Sequence, residues 1–162
     1  MKYFNGITTI EDLKKEYKRL ALKYHPDLGG DTQTMQAINN EYEQMFKALK
    51  NKHKTADGRT YTAKEETTET ASEFVEIINS LINIIGIEIE VCGSWLWVTG
   101  NTYPHRAALK KLGFGFSGSK KAWYWHKEPY IKKGRKSYTM DEIRNLHGSQ
   151  KVVTTQNAAI CG

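Results

Sequence analysis

His25, Pro26 and Asp27 stand in a row and bring an imidazole and a carboxylate to either side of a proline. Proline disfavours the helical conformation at the residue before it, so a helix arriving from the N-terminal side must stop by about Tyr24. Gly29-Gly30 then supplies backbone freedom for a turn, and Asp31 is placed to cap whatever helix follows. The spacing predicts an exposed loop, with an imidazole near the negative end of a helix dipole and a carboxylate pointing to solvent. No other group converges on the two side chains to make an acid–base pair, so the chemistry they suit is presentation of charge to a partner.

Catalysis has less to recommend it. The remaining histidines, at 53, 105, 126 and 147, are scattered, and neither an HExxH pattern nor paired cysteines occur. GSWLWVTGN holds two glycines, but not where a strand gives way to a phosphate-binding helix. Cys92 and Cys161 show neither metal-ligand spacing nor a disulfide framework, which points to a reducing compartment, the cytoplasm. No enzyme activity, metal or cofactor is expected. The longest apolar stretch, Ile77 to Ile89, is interrupted by Asn79, Ser80, Asn83 and Glu88, so no membrane partner is expected, and no signal peptide is evident.

Two helices must hold the loop. Leu13, Tyr17, Leu20 and Tyr24 recur at spacings of four, three and four, and Thr8 or Thr9 stands in capping position before Glu11 or Asp12. The first helix therefore runs from near Ile10 to Tyr24, with Lys14, Lys15, Lys18, Arg19 and Lys23 largely off its apolar stripe. Beyond the loop, Met35, Ile38, Tyr42, Met45 and Leu49 predict a second helix over about Thr32 to Lys52. Matching stripes and a short connection make an antiparallel hairpin, with Tyr3, Phe4 and Ile7 covering its open end.

The run YKRLALKYHPD, Tyr17 to Asp27, resembles the second helix and His-Pro-Asp signature of the J domain, the module of DnaJ and Hsp40 co-chaperones. LGGDTQTMQAINNEYEQM resembles the compact form of that module, seen also in polyomavirus T antigens and short bacterial and phage J proteins. Two features depart from the family: the counterpart of the family's own first helix is reduced to about Lys2 to Gly6, and no short fourth helix is evident. The resemblance implies docking on an ATP-bound Hsp70-class chaperone (DnaK-like) and stimulation of its ATPase. It implies a basic docking face of Lys14, Lys15, Tyr17, Lys18, Arg19 and Lys23, with His25, Pro26 and Asp27 making the short-range contacts.

The net charge of +6 is uneven: +3 over 1–54, −6 over 55–92, +9 over 93–137 and zero over 138–162. Residues 55–70 are polar, rich in Thr and Glu and without apolar periodicity, and read as a flexible linker after a J-like domain at 1–54. A second unit follows over 71–148, then a loose tail at 149–162. Its predicted elements are a helix over 71–85, strands at 87–91 and 95–99, a helix over 105–112, strands at 114–116 and 122–126, and a helix over 140–146. That order, α-β-β-α-β-β-α, makes a small α+β domain with an antiparallel sheet behind an all-α J-domain hairpin. The stretch from Gly93 to His126 also resembles, more faintly, the C-terminal part of other short J proteins.

Residues 93–137 combine ten Lys and Arg and one acid with Trp95, Trp97, Phe114, Phe116, Trp123, Tyr124 and Trp125. Lys110, Lys111, Lys120, Lys121, Lys132, Lys133, Arg135 and Lys136 cannot all be paired by Glu128. Together with Trp95, Trp97, Trp123 and Trp125 they are candidates for binding nucleic acid by charge and ring stacking, or the rings are simply core. The main reading is a co-chaperone whose second unit binds a client protein or nucleic acid. The alternatives are a nucleic-acid-binding protein or a protein adaptor with a degenerate J-like hairpin.

Overall fold

Thr9 opens the first helix, α1 (Ile10–Tyr24): its hydroxyl accepts the Asp12 N–H at 3.4 Å and donates to the Asp12 carboxylate at 3.0 Å. Pro26 ends it. Asp31 opens α2 (Thr32–Leu49) by accepting the Thr34 N–H at 2.7 Å. The two stripes meet with Tyr17 and Tyr42 ring to ring at 4.2 Å, among Leu13, Leu20, Ile38 and Leu49. In place of a reduced helix over Lys2 to Gly6, the N-terminus is a non-helical strap. The N–H groups of Lys2, Tyr3 and Phe4 all donate to the Glu41 carboxylate at 3.0 Å, and Phe4 is buried beneath them. Burial works against ionisation of Glu41, but those three donors hold its carboxyl below the usual range.

This computed structural model describes residues 1–128, 134–148 and 152–153. The expected tail at 149–162 lies outside the described residues, apart from the backbone of 152–153.

The segment 55–70 is corrected from a free linker to a pinned crossing. A short antiparallel hairpin, β1 (Lys52–Lys54) and β2 (Thr60–Thr62), follows α2, with His53 directly opposite Tyr61. His53 Nδ1 lies 2.8 Å from the buried Glu11 carboxylate, which also accepts the Lys54 N–H at 3.1 Å. Further along, Thr67 Oγ1 and the Thr68 N–H both donate to the Glu128 carboxylate, at 2.8 and 2.7 Å. Polar composition hid this order because the partners are themselves polar and distant in sequence.

Thr70 and Glu73 form a capping box at the start of α3 (Ala71–Ile82), and Gly86, at a φ of +82°, turns the chain into the sheet. The remaining elements are β3 (Ile87–Cys92), β4 (Trp95–Gly100), α4 (Arg106–Lys111), β5 (Gly115–Ser117), β6 (Ala122–Trp125), α5 (Met140–His147) and β7 (Val152–Val153). The strands lie in the order β5-β6-β4-β3-β7, every neighbouring pair antiparallel.

One face of this sheet is apolar, with Ile87, Ile89, Val91, Leu96 and Val98 all buried. Phe74 of α3 joins that face to the hairpin, its ring 6.1 Å from Tyr17 and 6.2 Å from Tyr42. The two expected units therefore share a single hydrophobic core. Neither is large enough to bury much apolar surface alone, and each covers what the other leaves open. The opposite face carries Cys92, Trp97 and Ala122 under Met140 of α5. Arg144 fastens α5 there, its guanidinium bonded to both oxygens of the buried Glu90 at 2.8 and 2.9 Å. Among the described residues, no helix is long and apolar enough to cross a membrane.

Candidate functional site

His25 closes α1 in an extended conformation, with φ −65° and ψ 134°, and donates its N–H to Ala21 O at 2.9 Å. Its carbonyl then accepts the N–H groups of Leu28 and Gly30, at 3.0 and 2.9 Å, and so pulls the chain into a single turn of tight helix over Pro26–Leu28. Gly29 leaves that turn at a φ of +85°. Gly30 is required by space: a Cβ there would stand 2.1 Å from Tyr24 O.

Within the turn, His25 Nδ1 accepts the Asp27 N–H at 3.2 Å, so the neutral ring carries its proton on Nε2. The Asp27 carboxylate lies 3.7 Å from the same nitrogen. The imidazole is only 13 % exposed, whereas the Asp27 side chain is 52 % exposed. Pro26 is exposed as well. A clamped ring thus supports an outward carboxylate, a geometry suited to receiving a cationic or hydrogen-bond-donating group from another macromolecule.

The basic face expected beside the loop is divided. Arg19 is partly exposed and donates to Glu16 at 2.9 Å, and Lys23 is exposed with its ammonium 5.0 Å from the Tyr24 ring. Lys15 is half-buried and reaches His147 O at 3.0 Å. Lys14, Tyr17 and Lys18, however, are fully covered, and their place in an exposed docking face is corrected. Lys14 Nζ pairs with Glu69 at 2.9 Å and lies over the Phe74 ring at 4.6 Å. Lys18 Nζ donates to Ile89 O at 3.3 Å. Burial lowers the Lys18 ammonium to about 8, against an upward pull from Glu90. Tyr17 gives its hydroxyl to Asn39 at 2.9 Å, and burial raises its phenol well above the ordinary value.

The physical reason is the sheet. Lys14, Lys18 and Ala21 form a second stripe on α1, at spacings of four and three, and the apolar sheet face lies against it. Sequence reasoning saw lysines off the main stripe and read solvent. The spacing of Lys14, Lys18 and Ala21, together with an acid in a region of no periodicity, Glu69, was the available signal.

The candidates in the sheet region also separate. Leu96 stands opposite Trp125 and Val98 opposite Trp123, so Trp123 and Trp125 share the hairpin-facing side of the sheet, Trp123 buried in the main core and Trp125 partly buried against it. As a member of a nucleic-acid surface Trp123 is corrected. Trp97 stands opposite Tyr124 on the other side, with Trp95 stacked beside it at 5.9 Å. Trp97 is itself 5 % exposed, and Trp95 and Tyr124 are half-buried around it. Lys110 and Lys111 are exposed on the last turn of α4, Lys120 and Lys121 lie in the β5–β6 turn, and Arg135 and Lys136 are exposed before α5. Lys132 and Lys133 lie outside the described residues. Among the described residues, no three His, Cys, Asp or Glu side chains are grouped to hold a metal ion.

Comparison with known proteins finds short matches. The chain is 50 % identical over 36 residues to the small t antigen of budgerigar fledgling disease virus, and likewise to the large T antigen of that virus. It is 51 % identical over 35 residues to DnaJ protein homolog 2 of Allium porrum. Each match covers 22 % of this chain, and they span 25 %, 6 % and 8 % of the respective relatives. No family model and no solved structure matches the chain. The short matches suggest a J domain over about a fifth of this chain's length.

Proposed function

We propose that this chain is a J-domain co-chaperone that docks on an Hsp70-class chaperone in its ATP-bound form and stimulates ATP hydrolysis through His25, Pro26 and Asp27. The observation that carries the reading is the loop: an exposed carboxylate at Asp27 on a turn held by His25 and by a Gly30 that admits no side chain. Arg19 and Lys23, the cations of α1 nearest the loop that keep solvent exposure, steer the encounter with an acidic patch. Lys14 and Lys18 take no part while α1 lies on the sheet. The chain carries out no reaction of its own in this reading, and works in the cytoplasm beside its partner. The sheet unit, packed on the hairpin, supplies the contact with a client protein or nucleic acid.

The test is equilibrium binding to an Hsp70 loaded with ATP or with ADP. The proposal expects tighter binding to the ATP form, weakened by salt and by Arg19→Glu with Lys23→Glu. Equal binding to both forms, unchanged by the charge reversals, would contradict it.

A further inference from the structure

The face of the sheet turned away from the hairpin holds a cavity of about 700 Å³, within the range of ligand pockets. Its walls include Trp95, Trp97, Tyr124 and Ile143, with Lys120 and Lys136 among the lining residues. The two indoles lie nearly parallel, 18° apart, and the Tyr124 ring stands 5.6 and 5.7 Å from them. A flat aromatic guest gains most from such walls, because offset stacking and area burial act together.

Charge decides what kind of guest. Aromatic walls also attract cations, but the described residues lining this cavity include two lysines and no acid. The acids nearby are already engaged: Glu90 and Asp141 by Arg144, and Glu142 by the Thr139 N–H and Lys136. Lys120, in the β5–β6 turn, has no carboxylate within ion-pair reach among the described residues. A negative group on the guest is thereby favoured and a cationic guest opposed.

We propose that this cavity binds a nucleobase bearing a phosphate, the base against Trp95, Trp97 and Tyr124 and the phosphate toward Lys120, since Lys136 is paired with Glu142. The guest is either a free mononucleotide or one residue of a single-stranded nucleic acid, which share that chemistry. Binding here is independent of the co-chaperone reading, since no lining residue of the cavity belongs to α1, α2 or the His25–Asp27 turn.

The experiment is titration of the full chain at low salt with adenosine 5′-monophosphate, adenosine, trimethyllysine and a short oligothymidylate, read by tryptophan emission. Saturable quenching by the monophosphate or the oligonucleotide is expected, with adenosine about tenfold weaker and a similar loss in Lys120→Glu. Equal affinity for the two phosphorylated probes assigns a free nucleotide, and a much tighter oligonucleotide assigns a single strand. Lys120 is partly exposed in a turn, and a matching thermal transition verifies that its variant folds. Tyr124→Leu, which keeps both cations, must weaken binding as well. No saturable quenching by either phosphorylated probe, preference for trimethyllysine, or binding unaltered by Lys120→Glu would overturn the proposal.

Discussion

Lys14 Nζ on α1 lies 2.9 Å from Glu69 Oε2, at the end of the segment leading to α3, and neither side chain is more than 7 % exposed. The same ammonium reaches Ser94 O at 3.3 Å in the β3–β4 turn. One buried charge thus ties the helical hairpin, the crossing segment and the sheet together. Removing it alone strands the carboxylate. Lys14→Ala is expected to destabilise the protein by about 3–5 kcal/mol, while Lys14→Met with Glu69→Leu recovers most of that loss. Chemical denaturation of the single and double variants checks this, and a single variant as stable as the double would refute it.

A single unfolding transition follows from the shared core. Tyr17, Tyr42 and Phe74 bring one ring from each of α1, α2 and α3 into contact, so the hairpin cannot release without exposing α3. Calorimetry is expected to show one cooperative transition, and hydrogen exchange to protect α1 and β3 to similar degrees. Two transitions, with the hairpin melting first, would show separable units.

Much of the local structure was legible in the sequence because it depends on near neighbours. The stop at Pro26, the Asp31 cap, the Thr139–Glu142 capping box and the period-two pattern of Ile87, Ile89 and Val91 each rest on a few adjacent residues. What was not legible rests on partners far along the chain. Lys14 meets Glu69 fifty-five residues later, Lys18 meets Ile89 seventy-one later, and Thr68 meets Glu128 sixty later. Composition cannot distinguish a lysine in solvent from one whose partner arrives by tertiary folding. The same limit divided the tryptophans: period two placed 123 with 125, but only the register against β4 decided which face they share.

Lys18 gives a pH signature. Its folded pKa, about 8, lies below its unfolded value near 10.5, so above pH 8 the unfolded chain binds the additional proton. Stability from this group therefore rises with pH from about 8, at a slope approaching about 1.4 kcal/mol per unit. Cys92 opposes it from pH 9 upward, since burial raises its thiol from 9.0 to about 11 and the folded state then holds the proton longer. Between pH 8 and 9 the wild type is expected to gain stability relative to Lys18→Met, measured as the difference in denaturation midpoints. A flat difference across that window would contradict the burial of the ammonium.

The loop has a steric test. Gly30→Ala forces a Cβ against Tyr24 backbone atoms, at 2.1 to 2.6 Å, and is expected to cost about 1–3 kcal/mol. Gly118→Ala, where nothing lies within 4 Å, serves as the control and is expected to change stability by under about 0.5 kcal/mol. Comparable melting of the two variants would refute the loop geometry.

The central claim, that Asp27 on its clamped turn acts on an Hsp70, is tested most directly by single-turnover ATP hydrolysis. An Hsp70 pre-loaded with ATP is mixed with wild-type protein or with Asp27→Asn, whose exposed side chain leaves the fold intact. The account predicts faster hydrolysis with the wild type and the unstimulated rate with Asp27→Asn at matched thermal stability. Equal rates for the two proteins, whether both stimulated or both not, would contradict it.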